Sequence, residues 1–457
     1  MWDILPPFEL SELNKWPPAQ VTMRTRIVVL SVILLCGLAS FATAQTPPPS
    51  SNRPGATLLL PYFEVDLNNP QGMTTLFSIN NSSATAVLSH ITVWSDMGIP
   101  VFAFNLYQTG YDATPINMRD ILNGTIPVSA SAGQDPSDSG SPLTGISNKG
   151  IFSQDINFAS CTGQLPYAGV PADYVAYMKA ALTGQASSFH AGQCVAKNHG
   201  TPTIARGYVT VDTVNACFIG FPSDVSYPFV ITSQNVLFGE YSYVNPSQDL
   251  AYGDNMVSIG ADQVDPDFTP GRYTFYGRFN AFTATDKREP LSTNFAARFV
   301  SAKDFKTPEK ARRRSVLPPA TELVVWRDTK VSSTNGFACG TTPAWYPLSQ
   351  EDVVAFDEQE NTESPTFPSA PFPAATQRVT VGGTAFPLTT STGWLFLNLN
   401  TVVAGGGIGL TDTAAAQAWV TVLNRVQQGP NGGRYDVAYR ATRMDSARDA
   451  RHVVLIP

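Results

Sequence analysis

Charge is scarce in this chain of 457 residues: 14% are Asp, Glu, Lys or Arg, and histidine occurs four times. The net charge of −7 gives no support for general nucleic-acid binding. No GxSxG elbow, HExxH pair or GxxxxGK[ST] loop is present, so the motif-bearing hydrolases and nucleotide binders lose their easiest support. Beyond residue 44 no apolar run approaches the roughly 20 residues of a membrane-spanning helix. There is no CxxC, and His190 and His199 around Cys194 do not form a ligand ladder, so a zinc site has no sequence support.

What is present begins with an address. From Met23, Arg24 and Arg26 form a positive n-region, Ile27 to Leu38 an apolar core, and Ala42-Thr43-Ala44 a small-residue cleavage site. This pattern predicts a signal peptide over 23–44, cleaved after Ala44, with 1–22 as an upstream extension. Cys36 follows the bulky Leu35 rather than a small residue, so it reads as part of the signal and not as a lipid anchor. The protein is therefore expected to be secreted, periplasmic or on the cell surface. In an oxidising compartment the other four cysteines, Cys161, Cys194, Cys217 and Cys339, predict two disulfides. Three pairings are open. Cys161–Cys194 with Cys217–Cys339 is favoured, because the first pair brackets one loop-rich stretch.

Residues 45–56 are proline-rich and read as a tether. Beyond them, short β-favouring runs alternate with Asn, Gly, Ser and Pro. In "TTLFSIN" Thr75, Phe77 and Ile79 share one face at period two. "AVLSHITVWSD", "VFAFNLY", "GYVTV", "YTFYGRFNAF", "TELVVWRD", "GWLFLNLN" and "AWVTVLNRV" also read as strands. The fold class expected is mainly β, as one or two antiparallel sandwiches of immunoglobulin-like type. A loop-and-helix insertion over 128–205 carries one clear helix, "PADYVAYMKAALTG", started by Pro171 and stopped by Gly184. "TTLFSIN", "VWSD" and "GYVTV" recur in order as "TNFAARF", "VWRD" and "AWVTV". This predicts a first sandwich over 57–279 and, over 280–457, either a second or a continuation of the first. Chance recurrence of strand-forming strings is the alternative.

The stretches "LLLPYFEVDLNNPQGMTTLFSINN", "GYVTVDTVNAC", "KREPL" and "WLFLNLN" resemble exported, β-rich bacterial proteins to which no function is assigned. That resemblance implies export and a β fold. It brings no activity and no site residue.

Candidate sites are few. "TDKREPL" places Asp286, Lys287, Arg288 and Glu289 in a row between aromatic strands. A structural corner is the first reading, with Asp286–Arg288 or Lys287–Glu289 pairing locally, and a binding site the second. Asp254, Asp262, Asp265 and Asp267 offer oxygen ligands for calcium, the one cofactor the sequence suggests. An ordinary Asp-rich turn explains them as well. The run Lys303 to Arg314 is strongly basic and reads as a solvated linker or an anion-holding patch. His90 in its strand reads as a satisfied structural residue, His190 and His199 as solvated loop residues, and Trp94, Trp326, Trp394 and Trp419 as core. The function expected is a non-catalytic structural, adhesion or binding protein of the cell envelope or extracellular space, with surface glycans or envelope proteins as partners. The alternative is an extracellular polysaccharide-acting enzyme with paired carboxylates.

Overall fold

The computed structural model describes residues 53–127, 170–261 except 217 and 219, 274–277, 279, 288–302, 320–328, 335–343, 346, 348, 352–400, 417–427 and 434–444. The upstream extension, the signal segment, Cys161, Cys217, Asp262, Asp265, Asp267, Asp286, Lys287, the basic run 303–314 and most of the insertion before residue 170 lie outside them. Among the described residues, no helix is long and apolar enough to cross a membrane.

The chain is mainly β, and period-two burial marks many of its strands. Residues before 280 supply β1 (Thr57–Asp66), β2 (Thr74–Asn81), β3 (Val87–Ser95), β4 (Pro100–Gln108) and β5 (Ala113–Asn117). They continue with β6 (Ile204–Val214), β7 (Leu237–Phe238), β8 (Glu240–Asn245), β9 (Leu250–Asn255) and β10 (Val257–Ile259). Residues after 280 supply β11 (Asn294–Val300), β12 (Ala320–Arg327), β13 (Asp352–Phe356), β14 (Thr362–Glu363) and β15 (Thr376–Thr380). Then come β16 (Thr392–Asn398), β17 (Ala418–Gln427), β18 (Arg434–Arg440) and β19 (Thr442–Arg443). Helices are short: α1 (Met118–Leu122), α2 (Ala172–Leu182) and α3 (Tyr227–Val230).

Four antiparallel sheets result. Two belong to the first part, β10-β1-β6-β3-β4 and β5-β2-β8-β9, with β7 also on β2. Two belong to the second, β14-β13-β16-β11-β19 and β15-β12-β17-β18. No sheet of described strands crosses residue 280. The connectivity repeats: β2 pairs with β5 and β8 while β3 pairs with β4 and β6. In the same chain order, β11 pairs with β16 and β19 while β12 pairs with β15 and β17. The echoing strings occupy matching places in it. Trp94 stands opposite Tyr208, and Trp326 opposite Trp419. Each strand also brings a threonine to an indole: Trp94 Nε1 donates to Thr210 at 2.9 Å, and Trp419 Nε1 to Thr421 at 3.3 Å.

Packing does not respect the boundary as cleanly as hydrogen bonding does. One core joins Leu58, Phe63, Trp94 and Tyr208 to Val324, Trp326, Trp419 and Leu423. A second core, with Phe295, Phe299, Leu395, Leu397 and Val420, lies wholly in the later part. β3 and β4 are buried along their whole length, unlike β2, where Thr75, Phe77 and Ile79 are buried and Leu76 is exposed. One cover over β4 is α2: Tyr174 donates to the Val101 carbonyl at 3.0 Å and its ring meets Phe102. This helix starts after Pro171, and Gly184 beyond its end sits at φ +71° against the Lys197 backbone, where a Cβ has no room.

Three expectations are corrected. Residues 53–56, assigned to the tether, belong to the fold: Gly55 bridges Leu237, and Ala56 is buried. "YTFYGRFNAF" is not a strand where it is described. Gly277 N–H bonds to Thr274 and Phe279 N–H to Tyr276, consecutive turns that turn Phe275 and Tyr276 into the core. Cys194 pairs with Cys339, not with Cys161, because a backbone bridge between Cys194 and Phe337 brings the two loops together.

Candidate functional site

A lone carboxylate in an apolar strand needs a partner. Asp212 is that case: it lies in "GYVTVDTV" of β6 and is fully buried. Four groups donate to it: the hydroxyls of Thr57, Tyr227 and Tyr276, and Arg288 Nε at 3.2 Å. Arg288, 1% exposed, also donates to the Thr57 hydroxyl and to the Thr232 carbonyl at 3.1 Å. Its neighbour Glu289 receives Arg53 at 2.8 and 3.1 Å. Both side chains thus make long-range pairs, and the chain here bridges Ala261; the expected partners Asp286 and Lys287 lie outside the described residues. Burial leaves Arg288 out of reach of a ligand in solvent.

Asp254 accepts from the Asn255 N–H and faces Arg440 at 3.5 Å, across to β18. A cation already answers its charge. Among the described residues no group of three or more His, Cys, Asp or Glu is arranged to hold a metal.

The three described histidines are engaged. His90 is buried between Asn105 Oδ1 at 2.8 Å and the Gly220 carbonyl at 3.0 Å, and burial holds its imidazole below the ordinary value. His190 meets the Tyr177 hydroxyl at 2.9 Å and His199 meets Asp96 at 2.6 Å, so neither is a merely solvated loop residue. Trp94, Trp326 and Trp419 are core, whereas Trp394 is half-buried and stacks on Phe356 at 3.8 Å with planes 4° apart. One face of each ring is covered by the other.

One arrangement with room for a ligand is a cleft of about 600 Å³ between β1 and the β15-β12-β17 sheet. β1 carries a register shift between Leu60 and Phe63, beyond which Glu64 follows. On β12, Glu322 lies in phase with Val324 and Trp326, and its ladder partners are Thr380 and Leu423. Arg378 and Arg425 are therefore its diagonal neighbours on the same face, within reach of long side chains. The result is a row of alternating sign: Arg206, Glu64, Arg378, Glu322, Arg425. Arg206 lies 3.9 Å and Arg378 3.7 Å from Glu64 Oε2, Arg378 3.6 Å from Glu322 Oε2, and Arg425 3.0 Å from Glu322 Oε1. Tyr62 adds a hydroxyl to Glu64 Oε2 at 2.6 Å.

Burial alone raises the Glu64 carboxyl. Arg378, the Tyr62 hydroxyl, Arg206 and His199 together outweigh it and hold the pKa below the ordinary value. For Arg378 burial works against the charge, but Glu64, Tyr252, Glu322 and Tyr62 raise it well above the usual arginine value. Because the Glu64 pKa is lower in the folded than in the unfolded chain, its stabilisation is present above the ordinary carboxylate range and lost as pH falls through it. Glu64→Gln is expected to weaken the fold at neutral pH and to flatten the loss of stability between roughly pH 5 and pH 3. Urea unfolding across that range is the measurement, and an unchanged slope contradicts the assignment.

Sequence reasoning missed Asp212, Glu64, Glu322, Arg378 and Arg425. The available signal was a charged residue in phase with buried apolar ones, as in "TELVVW". Fold and cleft define a mainly β protein with a polar, charge-paired crevice. Beyond that class no comparison adds a likeness: no family model, curated protein or solved structure matches this chain.

Proposed function

We propose that this is an exported, non-catalytic binding or structural protein of the cell envelope or extracellular space, built from two immunoglobulin-like sandwiches in tandem. The observation that carries the non-catalytic reading is the pairing of both cleft glutamates with arginines. Glycoside hydrolysis by paired carboxylates needs one carboxyl held protonated by a raised pKa. Here arginines flank both Glu64 and Glu322, and the Glu64 pKa is lowered. The sandwich reading is supported by the repeated connectivity, in which consecutive strands such as β2 and β3 join different sheets, as Greek-key sandwiches require. Export is supported by the signal pattern at 23–44 and by a disulfide of the kind that persists outside the cytosol. Surface glycans and envelope proteins are the partners such a scaffold fits. The test is incubation of the processed protein with insoluble polysaccharides and envelope fractions. Retention without new reducing ends is the expected result. Release of reducing sugar overturns the reading.

A further inference from the structure

We infer that the cleft between β1 and the β15-β12-β17 sheet takes a neutral, polyhydroxylated ligand: a short segment of uncharged oligosaccharide. The inference rests on the reading of the protein as a binder and names where and what it binds. Volume is the first condition, and about 600 Å³ lies within the ~300–1,000 Å³ of small-ligand pockets. Charge is the second. Along the floor Glu64, Arg378, Glu322 and Arg425 alternate in sign and pair with one another, and Arg206 beside the cleft adds a second cation to Glu64. Asp66 at the edge is held by the Asn68 and Asn69 N–H groups. A charged ligand has to break one of these half-buried pairs or set a like charge against it, and stranding a buried charge is strongly unfavourable. An uncharged ligand does neither.

Hydrogen-bonding capacity is the third condition. The nearest contacts of Tyr62, Arg206 and Arg378 all converge on Glu64 Oε2, which leaves Oε1 of this cleft-lining carboxylate with acceptor capacity. On the rim, Asn69 Oδ1 accepts from the Gln71 N–H and Asn245 Oδ1 from the Ser247 hydroxyl. The two asparagines thus present NH2 groups, which only donate. A wall with both acceptors and donors fits hydroxyl groups, each of which does both. Met73, Ile204 and Leu250 line the same cleft and supply apolar surface for the C–H faces of a sugar ring.

The experiment is calorimetric titration of the processed chain with cellotetraose, laminaritetraose and chitotetraose. Tetragalacturonate and a Lys-Glu dipeptide serve as charged controls. It is repeated with Glu322→Gln and with Gln248→Trp. Gln248 is an exposed cleft-lining residue in the turn before β9, so a tryptophan there fills the opening without disturbing the buried pairs. Expected is binding of at least one neutral tetrasaccharide, unchanged between about 0.05 and 0.5 M NaCl and weakened at least about tenfold by Gln248→Trp. Equal binding by wild type and both variants overturns the cleft assignment and leaves the binder reading standing. Tighter, salt-sensitive binding of a charged control overturns the neutral-ligand assignment. No binding of any tetrasaccharide overturns the inference as a whole, while the polysaccharide retention assay decides separately whether the protein is a binder.

Discussion

Arg288→Ala is expected to destabilise the fold by about 3–5 kcal/mol, the cost of removing one member of a buried ion pair. The reason lies with the partner. Asp212 has no exposure, and Arg288 Nε at 3.2 Å is its paired cation. Without the guanidinium, the Thr57, Tyr227 and Tyr276 hydroxyls still donate, but the negative charge is uncompensated. Arg288→Lys is not expected to rescue it, since an ammonium cannot serve Asp212 and the Thr232 carbonyl with the fixed fork of a guanidinium. Asp212→Asn removes the buried carboxylate from Arg288 instead and should also destabilise the fold. The double change Arg288→Met with Asp212→Leu should recover part of the loss, because replacing a whole buried pair costs less than breaking it. Urea unfolding midpoints measure all four. An Arg288→Ala effect within the ~0.5 kcal/mol of ordinary surface changes would sink the account.

That cluster shows how far residues alone carry the structure. "TDKREPL" is visible as an anomaly, four charges among aromatics, and Asp212 as another, one carboxylate in a valine-threonine strand. Nothing in their spacing joins them, because the contact between 212 and 288 is made by folding and by turns at 274–279 that look like a strand from composition. Strands whose two faces differ were the most legible. In β2 the period of two matches Thr75, Phe77 and Ile79 inward. β3 and β4 are buried on both faces, so their alternation carries no contrast and could not say which side meets what. The cleft was hidden for a related reason. Glu322, Arg378 and Arg425 come from three strands, and only the register of β12 with β15 and β17 makes them diagonal neighbours.

Loss of the Cys194–Cys339 bridge is expected to remove up to about 5 kcal/mol, the loop-entropy limit for a closure of this length. The two cysteines are 145 residues apart, so the bond joins the loop after α2 to the segment that follows β12. In the folded chain the same join is made without sulfur: Cys194 N–H donates to Phe337 at 2.9 Å and Phe337 N–H to Cys194 at 2.8 Å. The bridge therefore acts chiefly by restricting the unfolded chain. Cys339 is exposed and Cys194 buried, so Cys339→Ser reports the lost cross-link alone. Cys194→Ser adds the burial of a hydroxyl and should be the less stable variant. Non-reducing peptide mapping is expected to recover the Cys194 and Cys339 peptides joined, and urea unfolding to show Cys339→Ser shifted by several kcal/mol. Recovery of Cys194 joined to Cys161 would overturn the pairing. A Cys339→Ser protein as stable as the wild type would mean that the unfolded chain is already held together there by other contacts, and that the paired backbone bonds at Phe337, not the sulfur, join the two loops.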